Sequence, residues 1–416
     1  MHSLCSLFVC LILMLSCSDQ SQTYSNLSVG EKHSHFLIGQ GQWLGELSTK
    51  KNKKIPFNFE VKKDSVFIIN SKERIGAKIS SHLDSISIKM PVFDSELRFI
   101  KTSIGLKGYW YNNTKKIQKV PFIASLNQEG EKHRFNGSES SSHRSYSGNW
   151  ETTFSKGTEN EYKSLAIFYQ DKGFATGTFL TETGDYRFLQ GNVYNDSIFL
   201  SCFDGAHAFL FEGSLIDSMI HGVFYSGLQW SEPWVSVKND SFALKNPYLI
   251  TQQVPRERLE FTFPNIKGGS LSFPNKRFNN KVVIIQIFGS WCPNCVDETT
   301  FFAALHDQYQ HKGLEIIGLA FESPKKLSDK IARVKDLKSH TGSRYEFLIA
   351  GNASKKEAQK ALPFLNRVSS FPTTIFIDKA GVVRKIHTGF YGPGTGEHYA
   401  NYTAEVDALV KALLNE

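Results

Sequence analysis

One segment constrains the fold of this chain more than any other. An unbroken run, Val282-Val283-Ile284-Ile285-Gln286-Ile287-Phe288, leads through Gly289 and Ser290 into Trp291-Cys292-Pro293-Asn294-Cys295. A run without polar alternation suits a strand buried on both faces, as in a parallel sheet covered by helices. The segment after it suits a helix opening at the cysteines, because Pro293 at an early helical position gives up an N–H that has no intrahelical partner anyway. A helix is expected from 292 to about 310, then a strand at 314–320 and a further helix opening at Pro324 after Ser323. Ser354-Lys355-Lys356-Glu357 forms a capping box for another helix. A strand at 373–378, the turn Lys379-Ala380-Gly381, a strand at 382–387 and a closing helix complete the pattern. In that last helix Val406, Leu409, Val410 and Leu413 recur at helical spacing. Residues 265–416 are therefore expected to form an α/β domain.

The remainder reads differently. At about 150 residues per domain, 416 residues accommodate two or three domains. Residues 36–250 are short apolar and β-branched runs broken by turn residues, a β-rich region. Asp-Ser-aliphatic triplets open several of these runs, at Asp64, Asp84, Asp196 and Asp217. A longer repeat is also present: Asp84-Ser85-Ile86, Phe93-Asp94 and Gly108-Tyr109-Trp110-Tyr111 are echoed by Asp196-Ser197-Ile198, Phe203-Asp204 and Gly222-Val223-Phe224-Tyr225. Two related meanders, 36–126 and 149–250, or one large antiparallel barrel or sandwich built from two halves, would produce it. The polar stretch 127–148 is expected to be the loop between them, and 251–264 a linker.

Leu4 to Leu15 are nearly all apolar, which matches the core of a signal peptide and is too short to span a bilayer. The segment ends in Leu13-Met14-Leu15-Ser16-Cys17, followed at once by polar residues. A small residue directly before a cysteine resembles a bacterial lipoprotein processing site. That resemblance implies a signal peptide at 1–17, a lipid on Cys17 and a tether at 18–35 that includes His33 and His35. Met14 and the absence of Lys or Arg before the apolar run depart from that pattern, and an ordinary cleaved signal is the alternative. Cys202, Cys292 and Cys295 then remain, too few for a disulfide framework. They read as one redox or metal pair and a Cys202 buried as a small hydrophobe. The 48 basic against 40 acidic residues are spread through Lys-rich loops without a nucleic-acid signature, so no nucleic acid is expected as a partner.

The chemistry rests on the cysteine pair. Cys292 at a helix N-terminus faces unpaired N–H groups and the positive end of the helix dipole, which favour its thiolate. Cys295, one turn deeper, can attack a mixed disulfide on Cys292 and release the partner. Phe371-Pro372-Thr373-Thr374-Ile375 places a proline at the opening of a later strand. With both motifs present, residues 265–416 resemble the TlpA/ResA branch of the thioredoxin-like superfamily, exported and membrane-tethered thiol-disulfide oxidoreductases. The resemblance implies that Cys292 and Cys295 are the redox pair, that Pro372 is a cis-proline and that Phe371 before it contacts substrate. It further implies that Trp291 packs beside the motif and that Glu298 relays a proton to Cys295. Gln286 stands where many thioredoxins carry a buried aspartate and cannot titrate, which leaves Glu298 or water for any relay.

The resemblance also implies thiol or disulfide client proteins, a membrane electron donor that recharges a reductant, and a place in the bacterial cell envelope facing the periplasm or exterior. The Cys292–Cys295 disulfide would be the only redox group, with no other cofactor. No metal is expected, since His306, His311, His340 and His387 stand at no zinc spacing from Cys295. A thiol peroxidase would carry Thr or Ser where Gly289 stands. The non-enzymatic alternative is an envelope binding protein with a vestigial thioredoxin domain, against which the intact cysteine pair and proline argue. The glycine-rich stretch 389–396 lacks the Lys-Ser/Thr of a P-loop and reads as a structured loop near the active-site face.

Overall fold

In the strand Gly41–Ser48, Trp43, Gly45 and Leu47 are buried while their neighbours are half-exposed, the period of two that puts alternate side chains on opposite faces. The same alternation recurs through the region, and it closes into barrels rather than a sandwich. The computed structural model describes residues 38–416 except 83, 115–117, 128–129, 131–133 and 136–144. The expected signal segment, Cys17 and the tether with His33 and His35 lie outside the described residues.

Eight antiparallel strands between Gly41 and Leu126 each pair with the next, and the last, Gln118–Leu126, pairs back with Gly41–Ser48 to close a barrel. Phe57, Phe59, Phe99, Trp110 and Phe122 fill its interior. Gly45 is required there, because a Cβ would lie 2.8 Å from the Phe57 ring and 2.9 Å from that of Phe122. A nine-stranded sheet between Gly148 and Lys238 closes in turn through pairing of Tyr162–Asp171 with Phe174–Thr181, leaving only the short strand Gly184–Asp185 outside the ring. Its interior is aromatic, with Phe211 stacked between Phe179 and Phe224 at centroid distances of 4.5 and 4.3 Å. Each such pair adds about 0.5–1.5 kcal/mol beyond area burial. Cys202 is fully buried in this second core.

Apolar residues point into both barrels while charged pairs such as Lys54–Glu46 and Lys163–Glu151 sit outside, the reverse of a lipid-facing barrel. Among the described residues no helix is long and apolar enough to cross a membrane.

The two copies of the sequence repeat fall on equivalent strands. Asp84-Ser85 and Asp196-Ser197 open the fifth strand of each ring, Ser85–Lys89 and Ser197–Phe203, while Gly108 and Gly222 lie in the seventh, Gly105–Asn112 and Met219–Ser226. Within the connecting loop Arg134 is buried between the barrels. It donates to Ile69 O at 2.6 Å in the first and to Ser201 O at 2.9 Å in the second.

The C-terminal part is an α/β domain with the thioredoxin-like fold. Its five-stranded sheet runs in the order Glu346–Asn352, Leu314–Glu322, Val282–Phe288, Thr373–Ile377, Val383–Thr388, the first three parallel and the last two antiparallel. Every residue of the central strand Val282–Phe288 is buried, as an unalternating apolar run requires. Four α-helices accompany it: α1 (Pro293–Tyr309), α2 (Leu327–Thr341), α3 (Lys355–Ala361) and α4 (Glu397–Asn415). The Ser354 side chain caps α3, accepting from the Glu357 N–H, and Val406, Val410 and Leu413 of α4 are buried.

Two expectations need correction. The helix expected at Pro324 begins at Leu327 instead, with Lys326 as its N-cap. Residues 251–264, expected as a linker, are part of the domain. Val254 N–H donates to Phe364 O at 2.8 Å, Gln253 bridges Leu365, and Phe261–Pro264 pairs with Ser270–Phe273. Their backbone groups find partners in the fold, which a free linker would leave to water.

Candidate active site

The central strand ends at Phe288, and the chain turns through Gly289 and Ser290 into α1. Two contacts fix this turn. Ser290 N–H and Oγ–H both donate to the Glu322 carboxylate at 2.7 Å, and Trp291 Nε1 donates to Phe321 O at 2.8 Å. Glu322 closes the neighbouring strand, and burial pushes its carboxyl up to about 7. The N-cap of α1 is Cys292, in extended backbone, which places it at the positive end of the helix dipole, next to the first turn whose N–H groups have no intrahelical partner. Cys292 is half-buried, Cys295 fully buried, and both are thiols. The apolar surroundings, then the adjacent Cys292, push the Cys295 thiol well up. That difference separates an accessible thiol from a shielded one.

The structure brings the second motif to the first. Phe371–Pro372 is cis, and the Cys292 thiol donates to Phe371 O at 3.4 Å. Trp291 stacks edge-on against Phe371, ring centroids 5.6 Å apart. Glu298 is fully buried rather than a solvated first-turn charge. Gln286 Nε2 and Thr374 Oγ1 donate to it at 2.9 Å and Tyr402 OH at 3.1 Å. Burial raises its carboxyl to about 7 despite those three donors. Gln286, which cannot titrate, therefore orients the group that can, and Thr299 Oγ1 lies 3.1 Å from its other end. The negative charge of Glu298 adds to the rise of the Cys295 thiol, behind burial and Cys292.

Sequence reasoning missed what surrounds this centre. Asn294, between the cysteines, is nearly buried and donates to Asp185 Oδ2 of the second barrel and to Phe390 O, both at 2.9 Å. Gly392 N–H donates to the same Asp185 oxygen at 2.7 Å, which is the role of the glycine-rich loop. Ser370 Oγ donates to Thr183 O at 2.9 Å. The turn carrying Thr183, Gly184 and Asp185 thus rests against the active-site face. Beside it Arg187, 7% exposed, pairs with Glu73 of the first barrel at 2.6 Å, with Asp297 of α1, and at 3.6 Å with Asp204 of its own barrel. Burial pushes the Asp297 carboxyl up to about 7 even beside Arg187, with the negative charges of Glu73 and Asp185 adding to the rise. No local sequence signal marks these residues, since each partner lies more than a hundred residues from the next domain's contribution.

Comparison with known proteins places the C-terminal part. Residues 250–386 match the AhpC/TSA family. Thiol-disulfide oxidoreductase ResA of Bacillus cereus is 26% identical over 155 residues, 37% of this chain and 79% of that protein. Thiol-disulfide oxidoreductase ResA of Geobacillus thermodenitrificans is 30% identical over 112 residues, 27% of this chain and 57% of that protein. Among solved structures, a thiol:disulfide interchange protein of Chlorobium tepidum, described as a thioredoxin family protein, aligns with 39% of this chain and 99% of its own at 20% identity and a TM-score of 0.30.

Proposed function

We propose that this chain, built on a thioredoxin-like C-terminal domain, is an exported, membrane-tethered thiol-disulfide oxidoreductase that reduces disulfides of envelope proteins. The observation that carries the reading is the pairing of a half-exposed Cys292 at a helix N-terminus with a fully buried Cys295, one turn from a buried carboxyl. The Cys292 thiolate attacks one sulfur of a client disulfide, and the other sulfur leaves as a thiolate and takes a proton. Cys295 then loses its proton and attacks the Cys292 sulfur, releasing the second client thiol. The client gains two electrons and two protons, and the protein is left with a Cys292–Cys295 disulfide that a membrane electron donor reduces again.

The carboxyl of Glu298 is the proton acceptor in the second step. Its value in the fold, about 7, lies above the ordinary 4.5, so the carboxylate becomes the dominant form only as pH rises through about 7. Release of the client from the mixed disulfide is expected to accelerate through that window and level off above it. In Glu298→Gln the step should slow by roughly a hundredfold, the lower end of general-base contributions, and lose its pH dependence. Pre-reduced protein mixed with a chromogenic aromatic disulfide in a stopped-flow instrument reads both. Failure of the wild-type protein to reduce the disulfide would overturn the assignment, and an unchanged profile in the variant would remove Glu298 from the relay.

Tethering rests on Cys17. Replacing Cys17 with Ser should move the protein from the membrane to the soluble envelope fraction. Unchanged partitioning, with no lipid on the purified protein by mass spectrometry, would remove the anchor.

The peroxidase reading is disfavoured by packing at the motif. Gly289 stands where a peroxidase would carry a hydroxyl, and a Cβ there would lie 2.2 Å from Trp291 Nε1, so the tryptophan occupies the space a Thr or Ser needs.

A further inference from the structure

Cys292 opens into a cleft of about 320 Å³ whose walls come from three parts of the chain. Asn112 and Gln118 belong to the first barrel, His207, Ser226 and Trp230 to the second, and Cys292 to the α/β domain. A second cavity of about 330 Å³ shares Trp291 and Thr114 with it as walls. On the other side of the redox motif the Thr183–Asp185 turn is pressed against the protein, since a Cβ on Gly184 would meet Asn294 Nδ2 at 2.8 Å and one on Gly389 would meet the Thr183 backbone at 2.8 Å. Volumes of this size sit at the lower end of small-ligand sites. Each holds two or three residues of extended chain and no folded domain.

The walls carry groups suited to a peptide. Trp110 lines the first cavity and its indole N–H is buried without a hydrogen-bond partner. Ser323 lines the second, and its Oγ is buried and equally unpartnered. Both atoms lie beneath the cavity walls, and the polar residues that line the cleft beside Cys292, Asn112, Gln118, His207 and Ser226, are of the kind that fixes a bound peptide's amide groups in a small concave site. We propose that the two barrels form the client site of the dithiol, admitting an extended cysteine-bearing polypeptide segment laid across Trp291 and excluding disulfides held inside folded domains. Trp230, 59% exposed at the rim, and Ser226 are its specificity-determining positions. The proposal rests on the redox reading above, but its test does not require turnover.

The test uses the full chain and reads the thiol alone. A short linear peptide carrying one cysteine as a thiopyridyl mixed disulfide is compared with the same activated cysteine on the surface of a small folded protein, following thiopyridone release. In parallel, Cys292 is alkylated with iodoacetamide and with a polyethylene-glycol maleimide, the site being confirmed by mass spectrometry. The peptide and the small alkylator should outpace their bulky counterparts by on the order of tenfold or more, the range of steric discrimination. Ser226→Trp, which fills the cleft, should slow the small reagents, and Trp230→Ala, which opens the rim, should narrow the gap. Equal rates for peptide and folded carrier, or ratios that neither variant moves, would overturn the proposal. Iodoacetamide slowed by Ser226→Trp, with the peptide no faster than the folded carrier, would overturn the peptide class. Gated thiol reactivity without any disulfide turnover would instead reject the redox reading and leave the cleft standing.

Discussion

Cys292→Ser protein is expected to show no disulfide reduction and no covalent client adducts, while Cys295→Ser protein accumulates clients as mixed disulfides on Cys292. The asymmetry follows from burial. Only the half-exposed Cys292 meets the cleft, whereas Cys295 is fully buried and its thiol is pushed well up by that burial. In the wild type the mixed disulfide is short-lived because Cys295 is one helical turn away, an intramolecular attack whose effective concentration far exceeds that of any free thiol. Removing Cys295 leaves the first step intact and blocks the second, so the loss of turnover should be essentially complete in both variants while the adducts appear in one. Non-reducing electrophoresis of envelope extracts reads this directly, with bands that collapse on reduction. Adducts at equal abundance in Cys292→Ser, or none in Cys295→Ser beyond those of the double variant, would contradict the division of labour. Cys202 cannot substitute, since it is buried in the second barrel and its thiol is pushed well above the ordinary range.

What the sequence made legible were features whose cause is local. The run Val282–Phe288 announces a doubly buried strand because burial on both faces leaves no polar position to alternate. The repeated glycines are legible for a similar reason. Gly108 lies against Arg98 O and Gly222 against Glu212 O, in each case the sixth strand of its barrel, where a Cβ would come within 2.1 and 2.4 Å. One close approach of backbone to backbone imposes one glycine in both barrels, so the echo survives where the surrounding side chains differ. That the halves close separately is not legible in the same way, because closure depends on Gln118–Leu126 returning to Gly41–Ser48 and Tyr162–Asp171 to Phe174–Thr181, pairings no strand pattern specifies alone. Glu298 was legible as a residue but not as a buried one. Its burial comes from Tyr402 and Thr374, more than seventy residues away. Asn294 gave no signal at all, being a neutral residue between the two cysteines whose partner, Asp185, lies 109 residues earlier.

The Arg187 cluster is expected to give a large stability effect on substitution. One guanidinium serves Glu73, Asp204 and Asp297, with Asp185 adding to the same field. Arg187→Met fills the volume but leaves buried carboxylates from both barrels and α1 without their counter-charge. Removing one partner of a buried pair costs about 3–5 kcal/mol, a large share of the roughly 5–15 kcal/mol that keeps a domain folded. The sign of the pH dependence separates this from a loss of packing. Carboxyls without the arginine have folded values raised above their unfolded ones, so their penalty grows as pH rises through the unfolded range and persists above the folded values. Acidification should therefore recover part of the deficit, beginning above pH 7, because Asp297 already titrates at about 7 with the arginine lowering it and higher without it. Denaturant unfolding of wild type, Arg187→Met and Arg187→Lys across that range measures it, with the lysine variant expected between the other two because it restores the charge without the fork that reaches separate carboxylates. A deficit below about 1 kcal/mol, the scale of an exposed ion pair, or one that acid leaves unchanged, would mean that the Arg187 cluster is not what holds the barrels and the redox domain together.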